Sequence, residues 1–181
     1  LLGIGRSLCS PKDDLKNKVS NASSVEKQVK YCCTKIRKAR NSMDREKILI
    51  YSEKTENLGE PAVFLGVGEI KEPGCGDHLK MYIHTKREII TEFHYTITDS
   101  ACPPLKACAA RVAEMALGKP VMEAYLIQAK DLSEFFGGLE KESIHCAQMA
   151  EIGLKKTLQD YAIKRAERIK QMMETESKDA I

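Results

Sequence analysis

The 181-residue chain has no tryptophan, and only 6% of its residues are aromatic. In its most basic part, residues 1–48, the single aromatic is Tyr31. Stacking of single-stranded bases needs several aromatic faces, so nucleic acid is not an expected partner. No apolar run approaches the length that crosses a bilayer, so no membrane is implied. The opening Leu1-Leu2-Gly3-Ile4-Gly5-Arg6 is too short and too weakly apolar for a signal peptide. There is no internal repeat and no long low-complexity tract. The seven cysteines are odd in number, in a chain too long for a small secreted disulfide framework. A reduced, cytoplasmic protein is expected.

What is present describes a globular protein: 43% of residues are hydrophobic and 30% charged, enough for a sizeable core. Charge is uneven. Residues 1–48 carry 12 Lys/Arg against 5 Asp/Glu, net +7, and the remainder 17 against 21, net −4. A basic front segment suits an acidic partner or is simply a solvated helix face. Residues 1–22 are polar and without period, so a loose segment is expected. Ser23-Ser24-Val25-Glu26 fits a capping box. After it, Val25, Val29, Cys32, Ile36 and Met43 recur at helical spacing and predict an amphipathic helix to about residue 46. Cys32 lies on its apolar stripe and reads as a buried structural thiol. Cys9 and Cys33 have no second ligand at metal-site spacing.

Ile48-Leu49-Ile50-Tyr51 reads as an apolar bridge into a polar loop, Ser52 to Pro61. Three alternating runs follow: Val63, Leu65 and Val67; Leu79, Met81 and Ile83; and Ile89, Thr91, Phe93, Tyr95 and Ile97. They predict a small antiparallel sheet with one covered face, the last two strands joined by a hairpin at Thr85 to Glu88. His84 and His94 fall on the wet parity. From Cys102 the pattern is helical: a first helix to Gly118, short pieces at Val121 to Leu126 and Asp131 to Phe136, then a long segment from His145-Cys146. Its last turns are rich in charge and should project from the core. Cys108 falls on a buried stripe, where free cysteine acts as a small hydrophobe. The fold class is α+β, a three-stranded antiparallel sheet packed by helices, with an additional N-terminal helix.

The chemistry gathers at three cysteines. In Gly74-Cys75-Gly76-Asp77, residues i and i+2 of an extended segment face one side, so the Cys75 thiolate and the Asp77 carboxylate can share a target. The flanking glycines permit close approach of the backbone. Cys102 lies 27 positions on, before Pro103-Pro104, and so should cap the helix that follows. His145-Cys146 opens the last helix. A helix start stabilises a thiolate, and thiolates bind soft metals and iron–sulfur clusters. His78 points away from the Asp77 side.

Gly66-Val67-Gly68-Glu69, Pro73-Gly74-Cys75-Gly76-Asp77, the Cys102 helix running to Gly118-Lys119, and Ile144-His145-Cys146 with Ala150-Glu151 resemble the IscU/NifU-type iron–sulfur cluster assembly scaffold. The resemblance covers roughly residues 51–165. It implies a scaffold domain at 49–173, a basic extension at 1–48 and a polar tail at 174–181. It also implies a transient [2Fe–2S] cluster built from iron and from sulfur delivered by a cysteine desulfurase, then passed to apo iron–sulfur proteins. The protein would thus be a scaffold rather than an enzyme. By the same resemblance Cys75, Cys102 and Cys146 are thiolate ligands and sulfur acceptors, Asp77 a ligand or regulator of release, and His145 an alternative ligand.

Permanent clusters are normally held by four thiolates, so three thiolates with a harder oxygen or an imidazole suit a cluster meant to leave. The chain departs from the family's pattern in Ala101 where a glycine is common and in Pro103-Pro104. Residues 51–65 look short against the family's usual pattern. Leu139-Glu140-Lys141-Glu142-Ser143 replaces the Leu-Pro-Pro-Val-Lys read by a dedicated Hsp70-type chaperone, which argues against chaperone-assisted release. A zinc-bound sulfur acceptor of the sulfurtransferase type is the alternative, since Cys75, Asp77, Cys102 and Cys146 could also hold zinc tetrahedrally. Those sulfurtransferases carry an insertion between the second and third cysteines and lack the histidine before the third; neither feature is seen. A third reading is a metal-free interaction module whose basic helix binds a partner. The sequence leaves open whether the chain forms a homo-oligomer.

Overall fold

A computed structural model describes residues 43–179, with side chains described as far as Thr175. The loose segment, most of the expected N-terminal helix, and Cys9, Cys32 and Cys33 lie outside the described residues.

The first described helix, α1 (Arg45–Ser52), starts where the Asp44 carboxylate accepts the Lys47 amide at 3.0 Å. Asx residues at this position satisfy an otherwise orphaned helix N–H. The stretch expected to be an apolar bridge is therefore helical. Ile48 is its buried residue, and Tyr51 packs edge-on against Phe135 and Phe136, with ring centroids 5.2 and 5.6 Å away.

The sheet is an antiparallel meander, β1 (Gly66–Lys71), β2 (His78–Lys86) and β3 (Ile89–Ile97), in the order β1-β2-β3. The expected first strand at Val63 to Val67 begins later and runs on to Lys71. Leu79, Met81 and Ile83 are buried as the alternation predicts. In β3 the alternation holds only from Phe93 onward. Phe93 pairs with Ile83 and Glu92 with His84, but Thr85 pairs with Ile90, so Thr91 is an extra residue. Such a bulge reverses the facing of everything beyond it. Ile90 is consequently fully buried, while Ile89 is 44% exposed. The β2–β3 hairpin is shorter than expected, with Arg87 and Glu88 at φ +52° and +67°, as the twist-matched two-residue turn requires. Glu88 is held there by Arg165 at 2.6 Å. Tyr82 has the parity of the wet face but is buried, its ring edge-on to Phe64 at 5.1 Å.

α2 (Pro103–Ala116) buries Leu105, Ala107, Cys108, Ala109, Ala110, Val112, Ala113 and Ala116. Small residues on nearly every side let it lie between its neighbours at the centre of the core. Gly118 follows at φ +75°, and its amide donates to the Ile90 carbonyl at 2.9 Å, tying the helix end to β3. The short helices α3 (Val121–Ala124) and α4 (Ala129–Phe135) come next. A 3-10 turn, Lys141–Ser143, leads into α5 (Ile144–Asp179). α5 crosses the sheet at close range. A Cβ on Gly66 would lie 2.7 Å from the Thr157 carbonyl, and one on Gly68 would lie 2.5 Å from the Thr157 amide nitrogen. The two glycines therefore set the helix–sheet distance. Asp160 accepts the Val67 amide at 2.8 Å, so the open edge of β1 is partly satisfied from α5. Beyond Tyr161 the helix is mostly exposed and continues to Asp179, into the segment read as a polar tail. Among the described residues no helix is long and apolar enough to cross a membrane.

Candidate functional site

Three chain segments bring the expected donors to one end of the sheet. The first is the β1–β2 connection. Its turn is closed by the Glu72 amide donating to the Asp77 carbonyl and the Gly76 amide to the Glu72 carbonyl, both at 2.9 Å, with Gly76 at φ +75°. Cys75 is exposed on this turn, whereas Asp77 is only 5% exposed. The segment is a turn and not extended, and the turn folds the Asp77 carboxylate and amide back toward the Cys75 sulfur.

The second segment ends at Cys102. The Thr98 amide donates to the His78 carbonyl at 3.1 Å and the Ala101 amide to the Thr98 carbonyl at 2.9 Å, which delivers Cys102 to the N-cap of α2. Pro103 follows at the first helical position, where its missing N–H costs nothing. The third segment is the start of α5. Cys146 is fully buried there and His145 is partly exposed. The sulfurs of Cys102 and Cys146 lie 3.3 Å apart, and Cys146 Sγ lies 3.4 Å from His145 Nε2. His78 turns the other way, to a Glu69 carboxylate oxygen at 2.8 Å.

The two cysteines at helix starts were expected to behave alike; they do not. The hydrogen bond with Cys146 pulls the Cys102 thiol well below the usual thiol range. Burial opposes that shift, and the Leu105 amide and the nearby imidazole favour it. The Cys146 thiol moves up, because it serves the Cys102 thiolate as donor and is itself desolvated. Only one proton of the pair is readily lost. At Cys75 the Asp77 amide favours the thiolate, but desolvation and the Asp77 carboxylate outweigh it and raise the thiol. The Asp77 charge opposes thiolate formation at Cys102 and Cys146 as well.

Residues 43–168 match the family model of the NifU-like N-terminal domain. The chain belongs to that family. This NifU-like domain is 30% identical over 119 residues to the iron–sulfur cluster assembly scaffold protein IscU 1 of Archaeoglobus fulgidus, covering 66% of this chain and 76% of the relative. It is 31% identical over 123 residues to the IscU scaffold protein of Escherichia coli K12, covering 66% and 94%. Its fold matches a crystal structure described as an iron–sulfur cluster assembly scaffold protein of the SUF system from Fervidobacterium islandicum. That match has a TM-score of 0.52 and 19% identity over 62% of this chain and 94% of the other.

In this NifU-like domain the donors are soft thiols, one carboxylate and one imidazole, a set that suits iron–sulfur chemistry and also zinc. Among the described residues no three His, Cys, Asp or Glu side chains converge tightly enough to hold one ion. Cys75 faces Asp77, and Cys146 contacts Cys102 on one side and its neighbour His145 on the other. Cys108, read as a packing residue, is fully buried yet close enough to feel the charge of Cys102, and burial pushes its thiol up to about 12. Cys102 caps α2 and Cys108 lies on it, so that proximity is set within one helix.

Proposed function

We propose that the chain is a scaffold on which a [2Fe–2S] cluster is assembled as cargo, from iron and from sulfur supplied by a cysteine desulfurase, and then handed to apo iron–sulfur proteins. The observation that carries this reading is the gathering of Cys75, Asp77, Cys102, His145 and Cys146 at one end of the domain, in a chain whose relatives are named as such scaffolds.

Pairwise placement fits a two-iron cargo. Each iron of such a cluster shares bridging sulfides and needs only two protein donors, so ligands spread over a wider span than a single ion demands. Thiolates of Cys75, Cys102 and Cys146 would hold the irons, with Asp77 or His145 completing the set. The Asp77 charge disfavours thiolates while the site holds no cation. Iron reverses that balance, since a coordinating thiol is deprotonated by the metal. A mixed donor set also holds its cargo less firmly than four thiolates, in keeping with transfer. The reduced thiols this requires point to the cytoplasm.

The test is native mass spectrometry of anaerobically purified protein, before and after adding iron, cysteine and a cysteine desulfurase. Iron and sulfide are expected to appear together and to be lost in Cys75→Ser. A single tightly held zinc with no added sulfide would overturn this reading in favour of the zinc-bound sulfur acceptor.

A further inference from the structure

Cys102 and Cys146 are in contact, and they differ in exactly the properties that divide labour in thiol chemistry. Cys102 is half-exposed; Cys146 is fully buried. Their sulfurs, at 3.3 Å, already stand at the separation of about 3–3.5 Å that characterises a near-attack arrangement.

We propose that this pair releases sulfide. The Cys102 thiolate, the accessible one, attacks the outer sulfur of a donor persulfide; the donor's S–S bond breaks, its thiolate leaves, and Cys102 becomes a persulfide. Cys146 Sγ then attacks Cys102 Sγ, the inner sulfur. The Cys146–Cys102 disulfide forms, the bond between Cys102 Sγ and the outer sulfur breaks, and the outer sulfur leaves as HS−. The Cys146 proton passes to His145 Nε2, 3.4 Å from its sulfur. The two cysteine sulfurs together give up two electrons, and the sulfane sulfur gains both to become sulfide. A second thiol reductant returns the disulfide to the dithiol that can accept iron.

The direction of attack follows from the packing. Cys146 is fully buried and Cys102 half-exposed, so an added outer sulfur has room on the solvent side of Cys102 while the buried thiol attacks. Cys75 is exposed and could also accept sulfur, yet its recorded partner is the Asp77 carboxylate, which cannot reduce a persulfide.

This inference rests on the scaffold reading only for its supply of persulfide. The experiment treats the reduced full chain, without iron or added reductant, with glutathione persulfide, whose own leaving group is a thiol and not sulfide. Released sulfide is measured, and cysteine linkages are mapped by mass spectrometry of peptides. The expected result is one sulfide released per chain, with a disulfide joining the Cys102 and Cys146 peptides. In Cys146→Ser, the sulfide is lost and Cys102 remains one sulfur heavier. A stable persulfide on Cys102 of the unaltered chain, a disulfide that excludes either residue, or undiminished release from Cys146→Ser would overturn the proposal. Mapping on the unaltered chain decides the matter even if the variant folds poorly. Loading with ferrous iron and free sulfide bypasses this step. If loading succeeds while release fails, only this inference falls; if loading fails too, the scaffold reading falls with it.

Discussion

Two carboxylates in this domain sit among titratable neighbours, and their surroundings are opposite. Glu114, on the flank where α1 meets α2, takes hydrogen bonds from Tyr51 at 2.9 Å, Lys54 at 3.0 Å and Arg111. Burial works against its charge, but these donors outweigh it and hold the carboxyl down to about 2. Asp77, at the cysteine end, is more buried, and among the described residues no Lys or Arg forms an ion pair with it. Its neighbours are thiols, whose ionisation it opposes. The first cluster is electrostatically complete and works for the fold. On the scaffold reading proposed above, a cation would balance the second.

The largest expected effect breaks this comparison by moving one end alone. Gly68→Ala places a methyl 2.5 Å from the Thr157 amide nitrogen, a contact that backbone cannot relieve without shifting α5. A loss of about 1–3 kcal/mol in urea unfolding is expected. Because α5 carries His145 and Cys146, loss of iron and sulfide loading should accompany it. Unchanged stability would show that α5 is not held at the distance the glycines set.

Next comes the unpaired carboxylate itself. Asp77→Ala removes the charge that opposes thiolates and the hard oxygen donor that eases departure. The cluster should persist longer, followed as slower transfer to an apo acceptor. Alkylation of Cys75 at neutral pH should also quicken, since more thiolate is present once its pKa falls. Equal transfer and alkylation rates in both proteins would remove Asp77 from the site.

The smallest effect belongs to the completed cluster. Glu114→Gln should cost about 1 kcal/mol or less, since the carboxylate is largely exposed and solvent screens its ion pairs. The folded carboxyl titrates near 2 and the unfolded one near 4.5. The stabilisation is therefore fully present above about pH 4.5 and is lost as pH falls toward 2. Unfolding of both proteins at neutral and acid pH should show the difference closing over that window, and a pH-independent difference would assign the cost to packing.

Much of the framework is legible in the chain. The alternation of Leu79, Met81 and Ile83, the prolines after Cys102, and Gly118 closing α2 are local signals, and local geometry answered them. The bulge at Thr91 was not legible, because one extra residue in a strand leaves no mark in composition yet reverses Ile89 and Ile90. Ile48 to Tyr51 looked like a bridge because four apolar residues in a row carry no period; the Asp44 cap and the aromatic contacts of Tyr51 make it a helix.

The same division runs through the site. The sequence by itself determined which side chains are available: three cysteines, a carboxylate two residues after the first and an imidazole just before the last, each beside a glycine, a proline or a helix start. Those features act over a few residues, where bond geometry and capping dominate. Only the tertiary structure decided that Cys102 meets Cys146 across 44 residues of chain, and that one thiol ionises readily while its partner resists. Contact and burial set those outcomes. Both depend on how closely α5 packs on the sheet and where α2 lies against it, which no local stretch of the chain encodes.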